Sequence, residues 1–440
     1  MKKTNFLEKY KTRNSTFILI SLLMALQTRS PFMFDFYIDS FITKLGNQPP
    51  KNLNDMTLLL IILAPALFIF PILEKRFTIK TLLIFSSFAS FVLYFSRMHI
   101  TSEQFLYIDY LLIIAINFCI ICPISMKFIF LMMDRKQFGL LSGLFEFTRI
   151  IFGYIFTKIC IEIFSGSIIF YSAAFLIISI LSIIFIPNRF EPIKNTNPNP
   201  ISLQKPQYIV LTITACLISA LTVGMVYCLS EFNSNIRIFF YAGHDLTTTL
   251  ERFSNYIIPA IASVFGGIFW DTTTSKHRLL LAFIAFIIGM NFVQLCLPVN
   301  SYLLPIVLII YILMSIVVYS LRTVSPLMLF MNIPTSQNIS IVICFQLTSI
   351  SISALLTPTF LKYLNNNFDT HTAYKLTYQL MMIFSIVCYI CIILSYRILT
   401  NSSKDHQEIK KEDAEQNKNL PASNKYYSSF KKEKPTHTTR

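Results

Sequence analysis

Charge is what this sequence has least of. Asp, Glu, Lys and Arg make up 13% of its 440 residues, against about 25% in an ordinary soluble domain. Glycine occurs 10 times and tryptophan once. Chemical motifs are missing as well. No glycine-rich phosphate loop of the Walker type is present, which argues against ATP-driven work by this chain alone. Neither HExxH nor GxSxG occurs, and the six histidines are not grouped with acids in a metal pattern. The chain is therefore not expected to be an enzyme, and neither cofactor nor metal is expected. The nine cysteines include two CxxC pairs, Cys119 with Cys122 and Cys388 with Cys391. Both sit in apolar runs without neighbouring His or acid ligands, so packing rather than redox or zinc chemistry is the reading.

What the chain does have is apolar length. Hydrophobic residues make up 54% and the mean hydropathy is +0.60, which excludes a soluble enzyme, a secreted disulfide scaffold and a disordered chain. Twelve spans of about 21 residues would use about 250 residues. Apolar runs bounded by charges and turn residues place twelve helices near 15–45, 54–74, 78–98, 105–132, 138–163, 167–187, 207–242, 250–270, 277–297, 301–331, 337–363 and 370–397. The basic start leads into an uncleaved first span, not a signal peptide. The expected organisation is an arm (1–14), a six-helix bundle (15–187), a Pro/Asn-rich linker (188–206), a second six-helix bundle (207–397) and a disordered polar tail (398–440). Six helices, a linker and six helices is the parallel-repeat layout of one large transporter class.

The net charge of +15 raises the question of nucleic acid, which would need a surface stripe of Lys and Arg. The basic residues instead lie in short clusters between apolar runs. With the N-terminus inside, cytoplasmic segments hold 25 Lys and Arg and the opposite loops six. This bias predicts a multi-pass plasma-membrane protein, in a bacterium the inner membrane, with both termini cytoplasmic and no nucleic-acid partner.

Ionisable residues within hydrocarbon are costly and usually face a cavity or a partner. Those in the spans are Arg29, Asp35, Asp39, Lys127, Glu146, Arg149, Lys158, Glu162, Glu231, Arg237 and Arg322. Arg29 reads equally as a ligand for an anionic group or as a structural partner to a carboxylate. Asp35 and Asp39 read as solvated mouth residues or as a proton site. Glu146 and Arg149 are spaced i,i+3 and can form an ion pair, either structural and gating or part of a substrate site. Lys158 and Glu162 repeat the pattern at i,i+4, in a structural role. Glu231 is a candidate titrating carboxylate or a hydrated residue at a helix end. Arg322, deep in its helix near Pro326, is expected to face a cavity. Ser340, Thr348, Ser349 and Thr357 of the eleventh helix can line that cavity or pack helices.

Several segments resemble the major facilitator superfamily over most of residues 15–397. IPAIASVFGGIFWDTTTSKHRLLL is similar to the family's loop signature, with Gly266, Gly267, Asp271, Lys276 and Arg278 at the glycine, acid and basic places. The corresponding first-half segment, FIFPILEKRFTIKTLL, has Glu74, Lys75 and Arg76 without the glycine and aspartate. Within the superfamily the chain looks closest to organophosphate:phosphate antiporter-like and YihN-like inner-membrane proteins. CPISMKFIFLMMDRKQFGLLSGLFEFTRIIFGYIF carries that likeness, with Gly139, Gly143, Glu146 and Arg149. So do VVYSLRTVSPLMLFMNIP and AYKLTYQLMMIFS, the latter with Tyr378 and Gln379. Arg29 lies where organophosphate antiporters place one of two phosphate-binding arginines. The second has no counterpart, so sugar-phosphate exchange is not implied.

The resemblance implies an all-α polytopic membrane protein, twelve transmembrane helices in two pseudo-symmetric six-helix bundles around a central cavity. It also implies secondary transport of a small solute by alternating access, anionic or phosphorylated if Arg29 binds it. Arg29, Arg322 and Glu231 are the substrate-binding candidates. Glu146, Arg149 and Asp35 are the candidates for ion coupling or a structural pair. Gly267, Asp271, Lys276 and Arg278 form the expected cytoplasmic gate, in which acid and bases make an interdomain charge network. The expected partners are a small-molecule substrate, the lipid bilayer and H+ or a counter-substrate, with the protein a monomer. A non-transporting receptor or assembly scaffold on a transporter fold is the alternative, motivated by the altered first-half signature and the scarce glycine.

Overall fold

The computed structural model describes residues 16–26, 67–100, 103–132, 137–159, 163, 168–186, 205–240, 256–296, 304–332 and 336–419, in part by backbone alone, as at 129–132, 230–240, 328–332, 336–339 and 399–419. These residues are helical with short turns, and no strand occurs among them. Twelve helices follow in chain order. They are α1 (Thr16–Leu26), α2 (Phe70–Arg76), α3 (Ile79–Ser96), α4 (Glu103–Met132), α5 (Phe138–Lys158), α6 (Ile168–Phe185), α7 (Lys205–Phe240), α8 (Ile258–Thr272), α9 (Lys276–Cys296), α10 (Leu304–Asn332), α11 (Ser336–Asn367) and α12 (Thr370–Asn419). Most bounds fall within a few residues of the apolar runs. By length and composition, seven of the spans can cross a membrane, and four shorter helices are also apolar.

Beside a buried apolar core, several helices bury small hydroxyl residues and turn large apolar side chains outward. On α3 the inward residues include Ser86, Ser87 and Ser90, while Phe85, Phe88, Val92 and Phe95 are exposed at helical spacing. On α6, Ser172, Ser179 and Ser182 are buried and Ile177, Ile180 and Ile184 exposed. On α12, Ile383, Val387, Ile390 and Leu394 form an outward stripe. Lipid tails are as apolar as these side chains, so nothing drives them inward. Small hydroxyl residues instead let helices approach and bond across the seam, as Ser172 Oγ does in donating to the Phe91 carbonyl at 3.2 Å. Ser349 and Ser353 do the same to the Cys216 and Ala220 carbonyls, at 2.7 and 2.8 Å, binding α11 to α7. Ser349 is therefore a packing residue.

Two prolines shape the helices near the centre. Asn117–Ile121 of α4 form a π turn just before Pro123, where the missing N–H and the ring's bulk disfavour a regular turn. In α10, Pro326 leaves the Arg322 carbonyl without its helical donor. Ser325 Oγ supplies one at 3.3 Å.

Two features depart from the sequence reading. First, α12 continues to Asn419, where a disordered tail from 398 is expected. Residues 400–419 contain neither glycine nor proline until Pro421, and Lys404, Glu408, Lys411 and Glu415 carry alternating charges at i,i+3 and i,i+4 spacing, a pattern that supports a solvated helix. Second, Asp109 of α4 is a buried acid within a span, absent from the intramembrane candidates. It pairs with Arg97 at the end of α3, the two side chains being 5% and 1% exposed. Ser96 Oγ also donates to Asp109 Oδ1 at 3.3 Å, and the Arg97 guanidinium lies 4.6 Å from the Tyr94 ring centre. Removing one member of such a pair leaves a buried charge unanswered, at a cost of about 3–5 kcal/mol. Asp109→Ala is therefore expected to lower the thermal unfolding midpoint of the purified protein markedly. Asp109→Leu combined with Arg97→Met is expected to recover most of the loss.

Candidate functional site

The seam between the two bundles is tightest where α5 runs antiparallel to α8. A Cβ on Gly143 would stand 2.5 Å from the Ser263 carbonyl oxygen, and Gly139 and Gly267 are closer still. These positions demand glycine because backbone meets backbone. At one end of this seam Asp271 reaches across. Its Oδ1 accepts from the Gly139 N–H and its Oδ2 from the Leu140 N–H, both at 2.8 Å. These are orphan donors at the start of α5, and the carboxylate also answers the positive end of the helix dipole. Farther along, Tyr154 and Tyr256 rings meet with centroids 4.4 Å apart.

The rest of the expected gate differs. Lys276 donates to the Trp270 carbonyl and, at 3.4 Å, to that of Asp271, with its ammonium 5.5 Å from the Trp270 ring centre. From the start of α9 it thus caps the C-terminus of α8. Arg278 is exposed. The interdomain charge network expected from acid and bases is therefore a carboxylate on a helix N-terminus. The C-terminus of α8 offers carbonyls that attract the nearby lysine before any partner across the seam can.

The first-half signature lacks the aspartate, and the second seam is closed by other means. Glu74 at the end of α2 pairs with Lys127 of α4. Ser340 of α11 accepts from Lys127 Nζ at 3.1 Å and donates to Glu74. The Phe68 ring meets Phe345 edge-on at 5.2 Å. This triad is not legible in the sequence, because its members lie 53 and 213 residues apart along the chain. Ser340, left open as cavity or packing residue, is a seam residue.

Between the seams, in the middle of the bundle, lie the other charges. Arg149 donates through Nε (2.9 Å) and Nη2 (2.5 Å) to Glu146 Oε2, the expected i,i+3 pair. Arg322 of α10 comes within electrostatic reach of Glu146, Arg149, Tyr319 and Tyr227. Arg322 is half-buried and forms no ion pair or hydrogen bond through its guanidinium among the described residues. At about 1.5 Å per residue, Glu146 stands about 10 Å along α5 from the Gly139 contact with Asp271. The backbone under Arg322 is fixed by a polar chain. Gln346 Nε2 donates to Ser219 Oγ at 2.9 Å, Ser219 and Ser325 hydroxyls are 3.5 Å apart, and Ser325 holds the Arg322 carbonyl. Gln346 and Ser219 carry no motif and were not legible as site residues.

Arg29 and Asp35 lie outside the described residues, as does the side chain of Glu231. Among the described residues no group of His, Cys, Asp and Glu could hold a metal ion.

No protein-family model matches the sequence, and no curated protein matches it. Solved structures do. A bacterial homologue of the iron transporter ferroportin, in its outward-facing state, superposes with a TM-score of 0.60 at 10% identity, covering 87% of this chain and 99% of that one. The fold is that of the major facilitator transporters. The human organic anion transporter MFSD10 (TETRAN) gives a TM-score of 0.59 at 12% identity, covering 87% and 99% of the two chains. The major facilitator superfamily transporter FucP, in the outward conformation, gives 0.56 at 13% identity, covering 86% and 99%.

Asp271→Ala removes both acceptors at the start of α5 and is expected to loosen α5 from α8 at that end. Spin labels at Gln137 and Thr273 in a cysteine-free background should then report a longer and broader distance distribution than in the parent. An unchanged distribution would assign closure of the seam to the glycine contacts alone.

Proposed function

We propose that this protein is a secondary transporter that moves a small anionic solute across a cell membrane by alternating access. The observation that carries this reading is Arg322, a guanidinium deep in the bundle, half-buried and without an ion pair among the described residues. An unanswered charge at that depth is costly unless a cavity or ligand serves it. A guanidinium fits carboxylate or phosphate oxygens through two parallel hydrogen bonds. Arg149 sits beside it and Glu146 orients Arg149. The transporter fold supports the reading, and the organic anion transporter among the similar structures adds to it.

The positive-inside bias makes the Asp271 end cytoplasmic, with both termini on that side, in a plasma membrane or, in a bacterium, the inner membrane. Both latches, Asp271 on α5 and Glu74–Lys127–Ser340, then hold the cytoplasmic face closed. Transport requires them to break as one half rocks against the other, after which Arg322 meets the opposite side. Arg29 belongs to the same anion path through the likeness to organophosphate antiporters, and Asp35 and Glu231 are coupling or binding residues on it. The protein acts as a monomer.

Arg322→Ala is expected to reduce flux of anionic solutes into proteoliposomes by at least tenfold while leaving the unfolding midpoint unchanged or higher. Arg322→Lys should recover flux only in part, since an ammonium keeps the charge and loses the fork. A correctly folded wild type that carries no member of a broad metabolite panel would favour the receptor or scaffold reading.

A further inference from the structure

Asn291 of α9 is a buried polar side chain that none of the bonds above serves. It is 0% exposed, and neither its Nδ2 nor its Oδ1 has a hydrogen-bond partner among the described residues. An amide buried in this way is costly, because its bonds to water are lost without replacement. Its surroundings follow from the packing of α9 on α12. The two helices run antiparallel. Toward one end the His277 and Tyr396 rings meet with centroids 5.1 Å apart, and toward the other Gln294 Oε1 accepts from the Tyr374 hydroxyl. Asn291 lies one turn before Gln294, and Tyr378 one turn after Tyr374, on the same faces of their helices. Asn291 is therefore level with Tyr378, which is buried and whose ring centre lies 4.7 Å from that of Tyr374.

The first half shows what fills this place when no amide stands there. α3 packs on α6 as α9 packs on α12. α9 starts 197 residues after α3, and the same step carries Tyr94 to Asn291 and Arg97 to Gln294. In the first half the Tyr94 ring stacks on Tyr171 and Phe175 of α6, with centroids 5.8 and 5.4 Å apart, and Arg97 is held by Asp109. In the second half an asparagine replaces the ring, smaller by the volume of roughly two water molecules, and a neutral bond between Gln294 and Tyr374 replaces the ion pair.

We propose that this difference is a buried hydration site, in which ordered water between α9 and α12 is held by the Asn291 amide beside Tyr378. The two unserved atoms select the ligand. Oδ1 needs a donor and Nδ2 an acceptor. A bare metal ion serves only the first, and a carboxylate or phosphate only the second. Water serves both and is small enough for a core position. Bonds carried by water can change partner without leaving a polar group bare. The site is thus a joint at which α9 can shift against α12, whereas the Arg97–Asp109 pair fixes the matching part of the first half. It does not depend on the anion reading.

The test is radiolytic hydroxyl-radical labelling of the purified full chain, read by mass spectrometry. X-ray pulses split bound water in place, so a buried side chain gains oxygen only where water is held beside it. Tyr94 is the internal control, being 1% exposed against 2% for Tyr378. Tyr378 is expected to label at least tenfold faster than Tyr94. Asn291→Leu, which removes both amide atoms at similar volume, is expected to bring Tyr378 down to the Tyr94 rate. A Tyr378 as silent as Tyr94, or a Tyr378 rate that survives Asn291→Leu, would overturn the proposal. If Asn291→Leu does not fold, Asn291→Tyr takes its place with the same expected loss of label, since it fills the site with the ring of the first half. The comparison of Tyr378 with Tyr94 in the wild type needs neither variant.

Discussion

Hydrocarbon gives a polar group no water to fall back on, and the described part of the bundle is organised around that constraint. Arg97 answers Asp109, Lys127 answers Glu74, and Arg149 answers Glu146. Where no opposite charge is available, a helix terminus or a hydroxyl serves. Asp271 takes the free N–H groups of α5, and Ser325 takes the carbonyl that Pro326 leaves open. Against this background Arg322, which has no ion pair among the described residues, is a deviation that needs a reason, and it supplies the site hypothesis.

The two halves of the bundle meet the same requirement by different chemistry. In the second half an aspartate reaches the N-terminus of α5 over glycines that let two backbones touch. In the first half the corresponding acid, Glu74, pairs with Lys127, five residues before the end of a neighbouring helix, and a serine of α11 completes the link. A longer side chain and a buried cation replace the short acid and the glycine. The altered first-half signature therefore accompanies a different link between the helices.

Much of the fold was readable along the chain because spans in lipid announce themselves. Unbroken apolar length, charge at the ends and a polar linker placed α3, α5, α9 and α10 within a few residues of their observed bounds. Local pairs were readable too, since Glu146 and Arg149 at i,i+3 face one another on any helix. Contacts between distant segments were not. Asp109 was passed over because a single acid in EQFLYIDYLL looks like a helix end until Arg97 is seen beside it. Lys127 was visible as a buried charge, but its partner is 53 residues away. The polar stretch after 398 continues α12, since low hydropathy speaks against a packed core and says nothing against a solvated helix.

The sequence by itself determined that this is a multi-pass helical membrane protein. That property follows from composition and local order, which each segment carries alone. Only the tertiary structure decided which charges meet. Pairing across helices depends on rotation and depth of elements hundreds of residues apart, and these are set by packing of small residues such as Gly139, Gly143 and Gly267. That packing closes Asp271 on α5.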